Sequence, residues 1–326
     1  MTAIGWRLAM QAALYGSGGF FVRPSGAPAE HFRTSVHASP LFAGALLRVI
    51  ERLDAALGRP KTFDLVDVGA GRGELLTTVR TLLPGDLAER VRMVAVEVAP
   101  RPDGLDRAIR WRRDVPENIT GLLVATEWLD NVPLDIVDAD EEGRHRKVLV
   151  DRATGTETLG APADPADLFW MSRWWPGPGR VEIGWPRDTA WADAVDSIRR
   201  GAALCVDYGH RRDERPPLGT LTGFRDGRQV PPVPDGSCDV TAHVAMDAVA
   251  AAVGTPYTLV RQRDALKALG IDGARPPLDL ARTDPAAYLR ALAAAGSAAE
   301  LIDPAGLGSH WWLFHSIGVP SETMLL

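Results

Sequence analysis

The sequence is short of the residues that staple a fold from outside. Its 326 residues include two cysteines, Cys205 and Cys238, too few for a disulfide framework or a cysteine-rich zinc site, and their scarcity fits a reducing compartment. It has no basic excess. The 36 Lys and Arg against 42 Asp and Glu leave a net charge of -6, which argues against nucleic acid as the main partner. No apolar run approaches the ~20 residues needed to span a bilayer. The opening Met1-Thr2-Ala3-Ile4-Gly5-Trp6-Arg7 lacks the charged start and apolar middle of a signal peptide. These absences predict a cytoplasmic protein with no membrane span, no nucleic-acid partner and no bound metal; they leave the oligomeric state open. What the chain does have is a globular composition, 46% hydrophobic and 24% charged, too apolar for disorder over most of its length. At roughly 100–200 residues per domain, the length predicts two domains or one core with large insertions.

The pattern changes character along the chain. The first sixty residues read as a loop-rich segment, with aromatic groups on flexible backbone at Tyr15 to Phe21, followed by one helix. Ser39-Pro40 is a cap and first-turn pair; Leu41, Phe42, Ala45, Leu46, Val49, Ile50, Leu53 and Leu57 fall on one helical face, and Gly58 and Pro60 stop it. From Thr62 strands and helices alternate: strands at 63–68, 91–96, 109–111, 122–125 and 203–206, and a helix at 74–83. Alternation of this kind predicts an α/β fold, a Rossmann-like parallel sheet with helices on both faces. An insertion separates the fourth and fifth strands. It begins as a polar hairpin around Glu142-Gly143 and continues into a stretch holding Trp170, Trp174, Trp175, Trp185 and Trp191. That stretch is either a wall for a partner or a small satellite core. Residues 210–236 read as irregular, followed by a helix over about 241–253, a strand at 257–260, a short helix closed by Gly270, an alanine-rich helix begun by Asp284-Pro285 and a last strand at 311–317. The expected organisation is an N-terminal lid (1–60), a nucleoside-binding core (61–210) with its insertion (135–195), and a C-terminal region (211–326) whose strands complete the sheet.

The most informative run is Asp67-Val68-Gly69-Ala70-Gly71-Arg72-Gly73-Glu74. It lies where a buried strand turns into a helix. Glycines there permit left-handed backbone and close ligand approach, and the helix-end N–H groups favour a negative group. The spacing is G-x-G-x-G, not the dinucleotide G-x-G-x-x-G. Glu97 ends the next strand, where a carboxylate can accept hydrogen bonds from both ribose hydroxyls. The combination suits a nucleoside with an amino-acid tail, such as S-adenosylmethionine. After the fourth strand come Glu127 and Asp130, in the crevice where open parallel sheets hold ligands. Two carboxylates so placed can grip a guanidinium; they can also serve as helix cap and solvated surface group.

Together with Gly19-Phe20-Phe21, Phe32-Arg33-Thr34-Ser35, Ser39-Pro40-Leu41-Phe42, Val96-Glu97-Val98-Ala99-Pro100, Val206-Asp207-Tyr208-Gly209 and Asp239-Val240-Thr241-Ala242-His243-Val244, these motifs resemble the MidA-like family of S-adenosylmethionine-dependent methyltransferases. They keep the family order and span most of residues 15 to 250. Mitochondrial members of that family are complex I assembly factors that methylate a protein arginine. The resemblance implies a class I methyltransferase sheet, cofactor binding by Gly69, Gly71, Gly73 and Glu97, and an N-terminal segment including Thr34 and Ser35 folded over the cofactor. Asp114 is assigned to the same cofactor set. Thr126 and Asn131 depart from the family pattern beside the acceptor site, as does Ala245 after His243-Val244.

The expected function is methyl transfer from S-adenosylmethionine to a protein side chain, arginine by resemblance, with Glu127 orienting the acceptor and Asp130 supporting it. The alternatives are a small-molecule methyltransferase and a cofactor-binding assembly factor with little turnover. Tyr208 and His243 are candidate substrate contacts; a packed tyrosine and a capped helix with a buried or solvated histidine are the competing readings. His310 and His315 read as core or surface histidines, without carboxylate or cysteine partners nearby in sequence.

Overall fold

The computed structural model describes residues 3–23 and 35–321. Its centre is a seven-stranded sheet. The strands are β1 (Phe63–Val68), β2 (Val91–Val96), β3 (Ile109–Arg112), β4 (Ile119–Thr126), β5 (Ile198–Asp207), β6 (Tyr257–Arg261) and β7 (Trp311–Ile317). Their order is β6-β7-β5-β4-β1-β2-β3. Strands β1 to β5 pair in parallel, and β7 runs antiparallel between β5 and β6. The chain therefore starts in the middle, works to one edge, and returns to build the other, leaving a crevice beyond the carboxyl ends of β1 and β4.

Both faces of the sheet are covered, as the apolar runs require. Leu65, Leu122, Val124 and Leu204 point to one layer, against helices α2 (Pro40–Ala56) and α3 (Glu74–Leu82). Val66, Leu123, Ala203 and Cys205 point to the other, against Trp191, Ala194 and Val195. The α2 cap forms as its sequence predicts, with Ser39 Oγ accepting from the Leu41 N–H at 3.1 Å. Among the described residues no helix is long and apolar enough to cross a membrane.

Several elements differ from expectation. The first sixty residues contain a further helix, α1 (Trp6–Tyr15), whose face of Trp6, Met10 and Leu14 is fully buried. Its preceding strand, Ile4–Gly5, pairs antiparallel with His145–Val150 of the insertion. The N-terminal segment thus docks on the insertion's own sheet, with Leu134, Ile136, Val148 and Val240 beneath it. The tryptophan-rich stretch folds as helices Pro165–Trp174 and Trp185–Asp196. Trp170 and Trp175 form a satellite core with Val137, Met171, Val181 and Ile183, while Trp191 joins the main sheet. Residues 210–236 carry a hairpin, Thr222–Arg225 with Arg228–Val230, and Asp239–Thr241 pairs with its first strand. The helix expected from 241 therefore begins only at Met246. The reason is that Asp239, Val240 and Thr241 are all buried, which a strand on this hairpin allows and a first helical turn at the surface does not.

One contact in the sheet tolerates no side chain. Gly201 on β5 is in register with Gly121 on β4, and a Cβ at Gly201, whose φ is +145°, would collide with the Gly121 carbonyl oxygen. Gly201→Ala should lower the unfolding free energy by about 3 kcal/mol in urea titration. A loss under about 0.5 kcal/mol, the scatter of ordinary surface changes, would show that the two strands part without cost.

Candidate active site

The turn from β1 into α3 forms one wall of a cavity of about 1000 Å³ at the crevice. Gly69, Gly71 and Gly73 all hold left-handed backbone, with φ of 73°, 57° and 84°. A Cβ at Gly69 would lie 3.0 Å from the Trp128 side chain, so the turn keeps its shape only with glycine there. Glu97 reaches back over it, one oxygen accepting from the Gly71 N–H at 3.0 Å and the other from the N–H groups of Val98 and Ala99. Burial raises the Glu97 carboxyl above its ordinary range, against those three donors. Asp67, just before the turn, is buried with no hydrogen-bond partner for its Oδ1 among the described residues, and burial raises it well above its usual range. A cradle that excludes side chains, flanked by acids, one with an unmatched oxygen, fits a cationic nucleoside with an amino-acid tail.

The opposite wall is acidic and comes from distant parts of the chain. Glu127 stands at the end of β4 in left-handed backbone, φ 50°, a strain of order 1–3 kcal/mol that well-packed surroundings must hold. Its carboxyl accepts one hydrogen bond from a described residue, the Ser35 N–H at 3.1 Å, and its Oε1 lies 3.9 Å from His310 Nδ1. Burial, reinforced by Asp130, pushes the Glu127 carboxyl up to about 8. Asp130 sits in the turn Leu129–Asn131. Its Oδ2 accepts from the Tyr208 hydroxyl, and from Thr241 Oγ1 at 2.8 Å. Next to it Asn131 donates to Asp239 Oδ1 at 2.8 Å. Burial raises Asp130, Asp207 and Asp239 above the usual carboxylate range.

Beneath this wall lies Arg187, 1% exposed. Its guanidinium donates to the backbone carbonyls of Val132 (3.1 Å), Ala242 (2.8 Å), His243 (3.0 Å) and Asp130 (2.5 Å). It ties the turn after β4 to the strand that follows the hairpin. The third side is aromatic: Tyr15 donates to the Asn131 carbonyl at 3.2 Å and packs on Phe21.

The cavity lining brings together Gly69, Gly71, Glu97, Asp114, Glu127, Asp130, Tyr208 and His243. Gly73 is set back as the N-cap of α3. Ser35 is buried, its hydroxyl on Gln262 and its N–H on Glu127. Thr34 lies outside the described residues. Tyr208 is both a lining residue and a hydrogen-bond donor to Asp130, with the His243 ring edge-on at 5.1 Å. Sequence reasoning missed Arg187, Thr241, Asp239, Tyr15 and His310. Arg187 lies in an ordinary Trp-Pro-Arg-Asp helix start, and His310 is far from any acid in sequence; neither carries a local signal.

The chain matches the model of Methyltransf_28, a family of S-adenosyl-L-methionine-dependent methyltransferases, over residues 45–262. Two crystal structures of COG1565 superfamily proteins from Burkholderia thailandensis share the fold. One, bound to S-adenosyl-homocysteine, is 25% identical, with TM-score 0.79, over 98% of this chain and 89% of that one. The other, a native form, is 25% identical with TM-score 0.77, over 99% and 90%. No curated protein sequence matches the chain.

Glu97→Ala removes the carboxylate beside the glycine turn and should weaken S-adenosyl-homocysteine binding at least tenfold in calorimetry, about 1.4 kcal/mol. Unchanged affinity would remove Glu97 from the cofactor site.

Proposed function

The chain belongs to this family of S-adenosyl-L-methionine-dependent methyltransferases, and on that premise we propose that its methyl acceptor is a protein arginine. Bound S-adenosylmethionine supplies an electrophilic methyl group on a sulfonium. Gly69, Gly71, Glu97 and Asp114 hold it, and the acid wall across the cavity receives the acceptor.

The observation that carries this reading is the state of Glu127. Among the described residues no Lys or Arg pairs with it, and burial pushes it up to about 8, so it is mostly protonated at neutral pH. A largely desolvated carboxyl with no cationic partner among the described residues is poised for one supplied by the substrate. A guanidinium is charged below ~12 and presents a planar fork that matches a carboxylate. Its arrival would ionise Glu127 and fix the plane of the accepting nitrogen, leaving one nitrogen toward the methyl. Asp130, clamped by Tyr208 and Thr241, shapes the floor of the same pocket. His243 is solvent-exposed at the cavity rim; partial desolvation lowers its imidazole, and its ring stands edge-on to Tyr208. The net charge of -6 favours a basic peptide partner over a nucleic acid.

Labelled cofactor incubated with the protein and host lysate should transfer label to protein, recovered after hydrolysis as methylated arginine. Label confined to small molecules, or no label, overturns the reading. Glu127→Gln should cut transfer at least 100-fold while S-adenosyl-homocysteine affinity stays within about twofold.

A proton linkage follows with definite sign. The Glu127 carboxyl is raised from an ordinary 4.5 to about 8, so a cationic guest that ionises it must release a proton below that point. Affinity for N-methylguanidinium should therefore rise as pH goes from 6 to 8 and level off above. Calorimetry in buffers of different ionisation enthalpy checks it, and Glu127→Gln should abolish the proton release.

A further inference from the structure

Methylating a guanidinium leaves a surplus proton on the accepting nitrogen, and the groups around it differ in their freedom to take it. Asp130 is clamped through Oδ2 by Tyr208 and Thr241, and its buried Oδ1 has no partner among the described residues. Tyr208 donates its hydroxyl to Asp130, and burial raises it well above a phenol's usual range. His210 is tied through Nδ1 to Arg215 at 2.7 Å and is not among the residues lining the cavity. Glu127, once ionised, is occupied with the guanidinium plane. His310 is the neutral base that both lines the cavity and stands against Glu127. It is 8% exposed, and its Nδ1 is buried with no hydrogen-bond partner among the described residues, 3.9 Å from Glu127 Oε1.

The pair is also built, not incidental. The His310 carbonyl accepts from the Gln262 N–H at 2.7 Å. Gln262 is fully buried, and its side chain bonds Ser35 Oγ, the Leu301 carbonyl and Trp312 Nε1. The Ser35 N–H returns to Glu127. A closed ring of contacts, Glu127 to Ser35 to Gln262 to His310 and back, thus fixes acid and imidazole against each other from four separate segments.

We propose that His310 is a catalytic residue, the base that takes the proton from the methylated nitrogen, with Glu127 as its counter-charge. This rests on the acceptor reading given above. The carbon–sulfur bond of the donor breaks with its electron pair left on sulfur, and the nitrogen lone pair forms the carbon–nitrogen bond. The N–H proton then passes to the neutral imidazole, leaving a singly charged methylguanidinium. A guanidinium carrying one further positive charge is a far stronger acid than imidazolium, so the transfer is downhill even to a weak base. Among the described residues the ionisable groups facing the ring are Glu127, His243 and Tyr208, the last with its ring 5.6 Å away. Burial, with His243 adding, lowers His310 to about 4, so it is neutral and ready to accept at working pH.

The test compares the intact protein with His310→Gln and His310→Asn, using N-methylguanidinium as the binding probe and an arginine-rich peptide as acceptor. Both variants should bind S-adenosyl-homocysteine and the probe within about threefold of the parent, while single-turnover transfer falls about 100-fold. Transfer in His310→Gln should recover with rising pH as hydroxide substitutes for the base. In labelled-histidine NMR of the parent protein, the His310 ring should stay neutral above pH 6. Variants that transfer at the parent rate, or a ring protonated at pH 7, overturn the assignment and leave the acceptor reading standing. Failure of the parent protein to bind the probe overturns both.

Discussion

Four backbone carbonyls converge on one buried guanidinium, and the acidic half of the cavity, the proposed acceptor side, depends on that convergence. A charged side chain taken out of water must have its donors satisfied. Arg187 satisfies them on the main chain of two segments far apart in sequence, at 130–132 and 242–243. Its charge also lies under Asp130 and Asp207, which burial alone would drive toward neutrality. The wall is thus held in shape by hydrogen bonds from one residue, whose charge also opposes the effect of burial on Asp130 and Asp207.

The two halves of the cavity follow different construction rules. The cofactor side is local: one strand, one glycine turn, one helix and the acid at the end of the neighbouring strand. The acceptor side is assembled from α1, the turn after β4, the start of the insertion's second helix, the strand at 239–241 and the segment before β7. Left-handed backbone marks both, through glycines on the first and through Glu127 on the second. In the first case the residue type removes the cost. In the second the cost is carried by packing and by the Ser35 and Val206 contacts.

That difference decided what could be read from sequence. Helical periodicity located α2 with its cap, and buried apolar runs located β1, β2, β4 and β5. The glycine turn of Gly69 to Gly73 and the acid facing it, Glu97, were legible because a strand turning tightly into a helix imposes a local pattern. Glu127 and Asp130 were legible by their place after a central strand. Helix α1 was hidden because its buried face, Trp6, Met10 and Leu14, contacts the insertion and not the core. Asp239 to Thr241 looked like a helix start because capping residues and buried polar strand residues are the same types. His310 and Arg187 act only through tertiary neighbours, and no spacing announces them.

The pairing of Ile4 with Val150 has a temporal consequence. During synthesis the first strand has no partner until the insertion has left the ribosome, so α1 and its aromatic wall wait on a segment well over a hundred residues downstream. The glycine turn and its sheet neighbours close over much shorter loops. A nascent chain would therefore own the means to recognise its donor before it could discriminate among recipients.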